Sequence, residues 1–263
     1  MFCAAAIVVN RSKHGALVFA QKLSEEVSKI FRKCSIFDRY PIQSDDLNGY
    51  DLCITVGGDG TLLGIAPTLA HKNIPVISIN YGSLGFLSST DTENALDCIK
   101  KVQAKQFYIS ERQLLKAVIG DREVVALNEF VVRNIDCART VKLQLEYDDT
   151  AIAQYVADGL IIASPTGSTA YNSSANGPIV HPSVDALLAT PICPHTGPRN
   201  TIIFPVHSTI IIRGKSGEFS VYADSNYVEN ASSITVTTTQ SQLKIIQLYQ
   251  DPFFNTLNKK LRL

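Results

Sequence analysis

Neither sign of charge prevails in this chain of 263 residues, with Lys+Arg and Asp+Glu numbering 24 each. A balanced surface sets up no global field for nucleic acid or an anionic membrane, so any anionic ligand must be held by local groups. No apolar run reaches the roughly 20 residues that a membrane helix needs. The N-terminal run ending at Val9 lacks the basic start of a secretory leader and meets Asn10 and Arg11 too soon, so it reads as a first buried strand. Six cysteines (Cys3, Cys34, Cys53, Cys98, Cys137, Cys193) stand singly, without a CxxC pair or framework spacing. They are expected to be reduced core thiols of a cytoplasmic protein. His181, His195 and His207 form neither HExxH nor another tight ligand set, so no metal site is expected of them. Short-period repeats and low-complexity tracts are absent. With 45% apolar residues the chain has ample material for a buried core.

Two periodicities divide the sequence. Apolar runs at Ala4 to Asn10, Leu52 to Val56 and Ile74 to Asn80 have the continuous hydrophobicity of strands buried on both faces. The stretches His14 to Arg32, Leu62 to Lys72 and Asn94 to Gln103 between and after them have helical spacing, which predicts α/β units around a parallel sheet. From about Gln113 the alternation becomes two-residue, as in Val141 to Tyr147. Strands are expected at Leu114 to Ile119, Val124 to Arg133, Ala151 to Ser164, Ser208 to Arg213, Phe219 to Ala223 and Ile234 to Thr239. The prediction is an α/β domain over 1–110 followed by an all-β domain over 111–240.

Chemistry concentrates in a few places. Gly57-Gly58-Asp59-Gly60-Thr61 follows the Leu52 to Val56 run. Glycines let backbone N–H groups approach an anion, yet the turn has neither GK[ST] nor GxGxxG, and its one charged residue is acidic. An acid beside a phosphate site suggests a proton acceptor or a metal contact; the plainer alternative is a strand ending in an Asp-Gly turn. Gly82-Ser83-Leu84-Gly85-Phe86 lies beyond the next strand, where α/β proteins bind ligands, although a packing loop would look the same. Asn128-Glu129 interrupts an apolar stretch, so at least one of the two faces an apolar layer, unless the pair marks a sheet rim. The block from Asp158 to Ser174 runs from an apolar strand into a loop of hydroxyls with Tyr171. Such a loop suits a purine and its ribose; alternatively its hydroxyls bond their own backbone.

Together these motifs resemble the NAD kinase family, whose members phosphorylate the adenosine ribose 2′-hydroxyl of NAD to give NADP. The Gly-Gly-Asp-Gly turn alone is similar to a wider superfamily that includes lipid kinases and 6-phosphofructokinases. Asn128-Glu129 and the Asp158 to Ser174 block look specifically like NAD kinase. The likeness extends to Gly82 to Leu87, to Pro194-His195 with Arg199, and to the tail from Phe254 to Leu263. Asp224-Ser225-Asn226 departs from it, standing where many members have Asp-Gly.

The resemblance implies an NAD kinase-like fold, in which the β domain is sandwich-like and the segment 241–263 returns to the first domain, and homodimers or homotetramers. It makes Asp59 the base and gives Gly57, Gly58, Gly60 and Thr61 to the phosphates. Asn128, Glu129 and Asp158 would bind polar groups of the nucleotide, and Thr169, Ala170, Tyr171, Asn172, Ser173 and Ser174 would line its cleft together with Phe86. Arg139, Cys193 and Asn226 would lie near the nucleotide. Substrates would be NAD and ATP, or polyphosphate as donor. With no lysine in the turn, Mg²⁺ or another divalent cation is expected to accompany the donor. Two rivals remain at this stage: a lipid kinase of the same superfamily, and a nucleotide-binding sensor without chemistry.

Overall fold

The computed structural model describes residues 1–39, 42–136 and 138–261, apart from the side chain of residue 261. Cys137 and Leu263, both named above, lie outside the described residues. The chain divides into two compact units, Met1–Arg112 with Ser241–Leu263, and Gln113–Gln240.

The first unit is built on parallel strands β1 (Ala4–Val9), β2 (Lys33–Phe37), β3 (Leu52–Gly57), β4 (Val76–Asn80) and the short β5 (Thr90–Asp91). The order is β2-β1-β3-β4, with β5 beside β4. Every residue of β3 and β4 is buried, as continuous apolar runs require when both faces are covered. Helix α1 (Ala16–Val27) buries Ala16, Ala20, Leu23 and Val27, which recur at helical spacing along one face. The expected helix at Leu62 to Lys72 is two short ones, α2 (Asp59–Leu63) and α3 (Ala66–His71), with Pro67 at the start of the second. Helix α4 (Ala95–Gln103) buries Ala95, Cys98, Ile99 and Val102 in the same core. Gly57 pairs with Asn80, and the Tyr81 N–H donates to the Gly57 carbonyl at 2.8 Å. The loops after β3 and β4 therefore leave the sheet side by side at its carboxyl edge.

The second unit is antiparallel. Its strands are β6 (Tyr108–Ile119), β7 (Arg122–Ala126), β8 (Glu129–Arg133), β9 (Val141–Tyr147), β10 (Thr150–Ala157), β11 (Gly159–Ala163), β12 (Ala186–Ile192), β13 (Ile202–Pro205), β14 (Ile210–Gly214), β15 (Phe219–Ala223), β16 (Asn226–Ala231) and β17 (Ser233–Gln247). One sheet runs β10-β9-β14-β17, with the β6–β7 hairpin on β17; the other runs β13-β12-β11-β8-β15-β16. Leu143, Leu145, Ile210 and Ile212 from the first share one core with Phe130, Val132, Leu160, Ile162 and Val221 from the second, which is the packing of a sandwich. Helix α5 (Tyr171–Ser174) is a single turn after β11, and helix α6 (Phe253–Leu261) closes the chain in the first unit.

Two expected single strands are divided. Val124 to Arg133 breaks between β7 and β8, and Ala151 to Ser164 breaks at Asp158 between β10 and β11; in each case the halves join different sheets. The expectation of core thiols holds for Cys53 and Cys98, whereas Cys3 and Cys193 are exposed.

Candidate active site

In the first unit, the glycine turn ends β3 and Asp59 opens α2. The half-buried Asp59 carboxylate accepts the Phe86 N–H at 2.9 Å through Oδ2 and the Leu87 N–H at 3.2 Å through Oδ1. A carboxylate has about four lone-pair sites, so these bonds fix its plane and leave capacity for a proton. Gly85 is part of this arrangement, because a Cβ there would overlap the Asp59 carboxylate. Gly57 is equally constrained: a Cβ would overlap the Thr61 hydroxyl. The second glycine loop thus holds the acid that stands in the first. Phe86, expected to offer surface to the nucleotide, is half-buried in the same unit. Its ring packs on Phe253 of α6, with centroids 6.4 Å apart, and Lys260 Nζ stands 4.6 Å from its centroid.

One cation that the motif lacks is supplied from elsewhere in the same unit. Lys13, in the loop between β1 and α1, donates from Nζ to the Tyr81 carbonyl at 2.7 Å. Its ammonium stands 3.1 Å from the point that a Cβ on Gly58 would occupy. Nothing in the local sequence of the glycine turn marks this residue.

In the second unit, the break at Leu127-Asn128 has a specific cause. The Asp224 carboxylate accepts the backbone N–H groups of Leu127 (2.7 Å), Asn128 (2.7 Å) and Glu129 (3.3 Å), taking donors that a continuous strand would give to its neighbours. Burial raises the Asp224 pKa, and these three bonds oppose the rise. Asp224 and Ser225 form the β15–β16 turn with φ of 45° and 69°, both left-handed. This is the hairpin geometry in which glycine is favoured at the second position, so Ser225 carries backbone strain where relatives in the resemblance have glycine.

Glu129, Val131 and Arg133 alternate along β8 and therefore share a face. With Tyr171, Tyr222 and Ser225 they line a cavity of about 220 Å³. Glu129 is 2% exposed, and its Oε2 has no hydrogen-bond partner among the described residues. Burial first, and the charge of Asp224 second, push its carboxyl from 4.5 up to about 8, so it is largely protonated at neutral pH. Arg133 lies four residues along, about 13 Å at strand rise, too far for direct pairing. Tyr171 packs over Val131, Ile161, Ala163 and Leu188, while Tyr222 is braced edge-on by Tyr227 at 5.7 Å. The volume is below the roughly 300–1,000 Å³ that encloses a whole small-molecule ligand, so this cavity suits one ring of a larger one. Arg133 and Tyr222 were not among the expected site residues; the two-residue period from Glu129 was the signal for Arg133.

The hydroxyl loop is mostly self-satisfied. Ser164 Oγ donates to the Leu127 carbonyl and accepts the Gly167 N–H, and Ser168 Oγ donates to the Val180 carbonyl and accepts the Val180 N–H. Thr169 Oγ1 donates to the Thr166 carbonyl. Asn172 is fully buried; its amide donates to the Ser168 and Pro178 carbonyls and its carbonyl accepts from Thr190. It is a strut beneath the loop rather than a lining residue. Ser173 and Ser174 are exposed, and Thr169, Ala170 and Tyr171 are partly so.

Asp158 marks the crossing from β10 to β11, where its N–H donates to the Ile192 carbonyl. Asn226 is exposed at the start of β16, with its amide donating to the Asp224 carbonyl. Cys193 follows β12 with φ 46°. Arg139 is 80% exposed and pairs with Asp136 at 3.2 Å, so it does not line the Glu129 cavity.

The first unit thus carries a glycine turn with an oriented acid and the second a ring-sized cavity around a buried acid, features that fit a phosphotransferase acting on a nucleotide. Comparisons with known proteins agree. Residues 4–107 match the family model of the ATP-NAD kinase N-terminal domain, and residues 127–248 that of the ATP-NAD kinase C-terminal domain. The NAD kinase of Clostridium beijerinckii is 33% identical over 240 residues, covering 88% of this chain and 84% of its own. The crystal structure of an NAD kinase from Archaeoglobus fulgidus in complex with ATP aligns with a TM-score of 0.83 at 26% identity, over 98% of both chains. Yeast NADH kinase complexed with NADH gives a TM-score of 0.83 at 25% identity, over 99% of this chain and 88% of that one. The chain belongs to the NAD kinase family.

Proposed function

We propose that this protein transfers the γ-phosphoryl group of ATP to the 2′-hydroxyl of the adenosine ribose of NAD, giving NADP and ADP. The observation that carries the mechanism is the Asp59 carboxylate, held by two backbone N–H groups at the end of a glycine turn. As the 2′-oxygen bonds to the γ-phosphorus and the bond to the β,γ-bridging oxygen breaks, the hydroxyl proton passes to Asp59. Such base assistance contributes about 10²- to 10⁴-fold. Alignment and charge neutralisation supply the rest. Amides of Gly57, Gly58 and Gly60 hold the donor's phosphates. Glu129 and Tyr171 bind the acceptor's nucleoside, Glu129 as a protonated acid that both donates and accepts.

Among the described residues no three His, Cys, Asp or Glu side chains gather to hold a metal ion. A divalent cation accompanying the donor would be held chiefly by the donor's phosphate oxygens and would neutralise charge developing there. The Glu129 cavity carries an acid, a guanidinium and two phenols, which does not suit an acyl chain and argues against the lipid kinase. Among the described residues no helix is long and apolar enough to cross a membrane. We place the enzyme in the cytoplasm as a homodimer or homotetramer, for which light scattering of the purified protein is the check.

The test of the reaction is incubation with NAD, ATP and Mg²⁺, followed by detection of NADP with an NADP-specific dehydrogenase. Parallel reactions with polyphosphate and with NADH define donor and acceptor range. No NADP from any donor would overturn the proposal.

A further inference from the structure

The glycine turn brings a carboxylate to the place where polyanionic phosphates are to bind, and like charges at contact repel. Its own sequence, Gly57 to Thr61, contains no cation to offset this. The fold provides one. After β1, Asn10 organises the chain: its side-chain oxygen accepts the Ser12 N–H at 2.9 Å and the Ser12 hydroxyl at 2.7 Å, and its backbone carbonyl accepts the Lys13 N–H at 3.3 Å. The Lys13 carbonyl in turn accepts the Ala16 N–H at 3.1 Å at the start of α1. Lys13 is thus held at both ends of its peptide unit, and its side chain is half-buried.

The ammonium reaches two glycine loops at once. It donates to Tyr81 at the end of β4, and it stands 3.1 Å and 3.4 Å from the points that a Cβ on Gly58 and on Gly82 would occupy. A Cβ on Gly58 would press on the ammonium, whereas one on Gly82 would only touch it, and Gly82 is glycine because of its φ of 118°. An ammonium has three donors, and the Tyr81 carbonyl uses one. Neighbouring Arg11 is neutralised by Asp38, whereas among the described residues no ion pair involves Lys13. A compact, half-buried charge with donors to spare beside the side-chain-free backbones of Gly58 and Gly82 is chemistry for a phosphate oxygen.

We propose that Lys13 is a phosphate-binding residue of this site, contacting the donor's polyphosphate through Nζ beside the Gly58 and Gly82 backbones and supplying the positive charge that the turn lacks. This rests on the reading of the glycine turn as the donor site. It also means that part of donor binding does not depend on a divalent cation.

The test uses the full chain in EDTA, with inorganic tripolyphosphate titrated calorimetrically against wild type, Lys13→Gln and Lys13→Arg, and NAD titrated separately. Gln removes the charge and, one bond shorter, also loosens the brace to Tyr81, whereas Arg keeps both the charge and the reach. Tripolyphosphate should bind wild type, bind Lys13→Gln at least about tenfold more weakly, and recover most of its affinity in Lys13→Arg, with NAD affinity equal in all three. Equal tripolyphosphate affinity in wild type and Lys13→Gln would overturn the assignment, as would no metal-free binding to wild type. A wild-type protein that binds tripolyphosphate through Lys13 yet makes no NADP would refute the kinase reading alone.

Discussion

Replacing Glu129 by Gln should remove a loss of stability that the wild-type protein suffers as the pH rises. Glu129 is buried, one of its oxygens lacks a partner among the described residues, and Asp224 adds negative charge nearby. Its pKa stands at about 8 in the folded protein, against 4.5 for the free side chain. Between these values the folded state keeps a proton that the unfolded state has released. The unfolded state then binds fewer protons, so unfolding free energy falls with rising pH until the folded group also ionises near pH 8. Each pH unit in that window costs about 1.4 kcal/mol, which sets a ceiling of about 5 kcal/mol; water entering the cavity on ionisation brings it to a few. The amide in the Glu129→Gln variant would be neutral throughout and nearly isosteric with the protonated acid. Urea unfolding of both proteins from about pH 5 to about pH 9 gives the comparison, because every other titrating group cancels in the difference. The wild type should lose stability relative to Glu129→Gln across this range, most of it below pH 8. Parallel curves would refute the assignment of a protonated Glu129.

Other consequences are more local. Tyr171→Ala should weaken NAD binding about tenfold and leave metal-free donor binding unchanged; equal losses for both ligands in calorimetry would remove Tyr171 from the acceptor side. Ser225→Gly relieves a residue at φ 69° and should raise unfolding free energy by about 1 kcal/mol in urea titration; an unchanged midpoint would mean that the turn is unstrained. In the native protein a thiol reagent should modify the exposed Cys3 and Cys193 quickly. Cys98, pushed up to about 12 chiefly by burial, and Cys53, raised further by the same cause, should react only on unfolding. Mass spectrometry of the labelled peptides distinguishes the two groups.

The parts of this molecule legible in its sequence are those governed by short-range pattern. Strands β1, β3 and β4 announce themselves as continuous apolar runs because both faces are covered. Strand β2 does not: it lies at the sheet edge, five residues long and only partly buried, and its signal merges with the helical stretch before it. Strand β12 is buried throughout, but its Ala-Leu-Leu-Ala-Thr-Pro-Ile sequence neither alternates nor favours a strand at Pro191. The breaks that split expected strands are set by distant partners, as with Asp224, which takes the N–H of Leu127 from 97 positions away. The same limit applies to the site. Asp59 and Glu129 were readable as carboxyls in the wrong company, glycine and hydrophobic residues respectively. Which hydroxyls of the Ser164 to Ser174 loop remain for a ligand was not, since Ser164 and Ser168 satisfy backbone groups that only the fold brings near. Lys13 was invisible for a similar reason, because the parallel pairing of β1 with β3 is what sets its loop beside Gly58.

The central claim is that one carboxylate takes the proton of one hydroxyl, and Asp59→Asn tests it most directly. Asn keeps the shape and the acceptor for one backbone N–H but cannot accept the proton. Turnover of NAD to NADP should fall by about 10²- to 10⁴-fold, while the NAD dissociation constant stays near that of wild type and the unfolding midpoint drops only modestly, since one backbone N–H loses its acceptor. Turnover within a few-fold of wild type in that variant, with folding and NAD binding intact, would contradict the account.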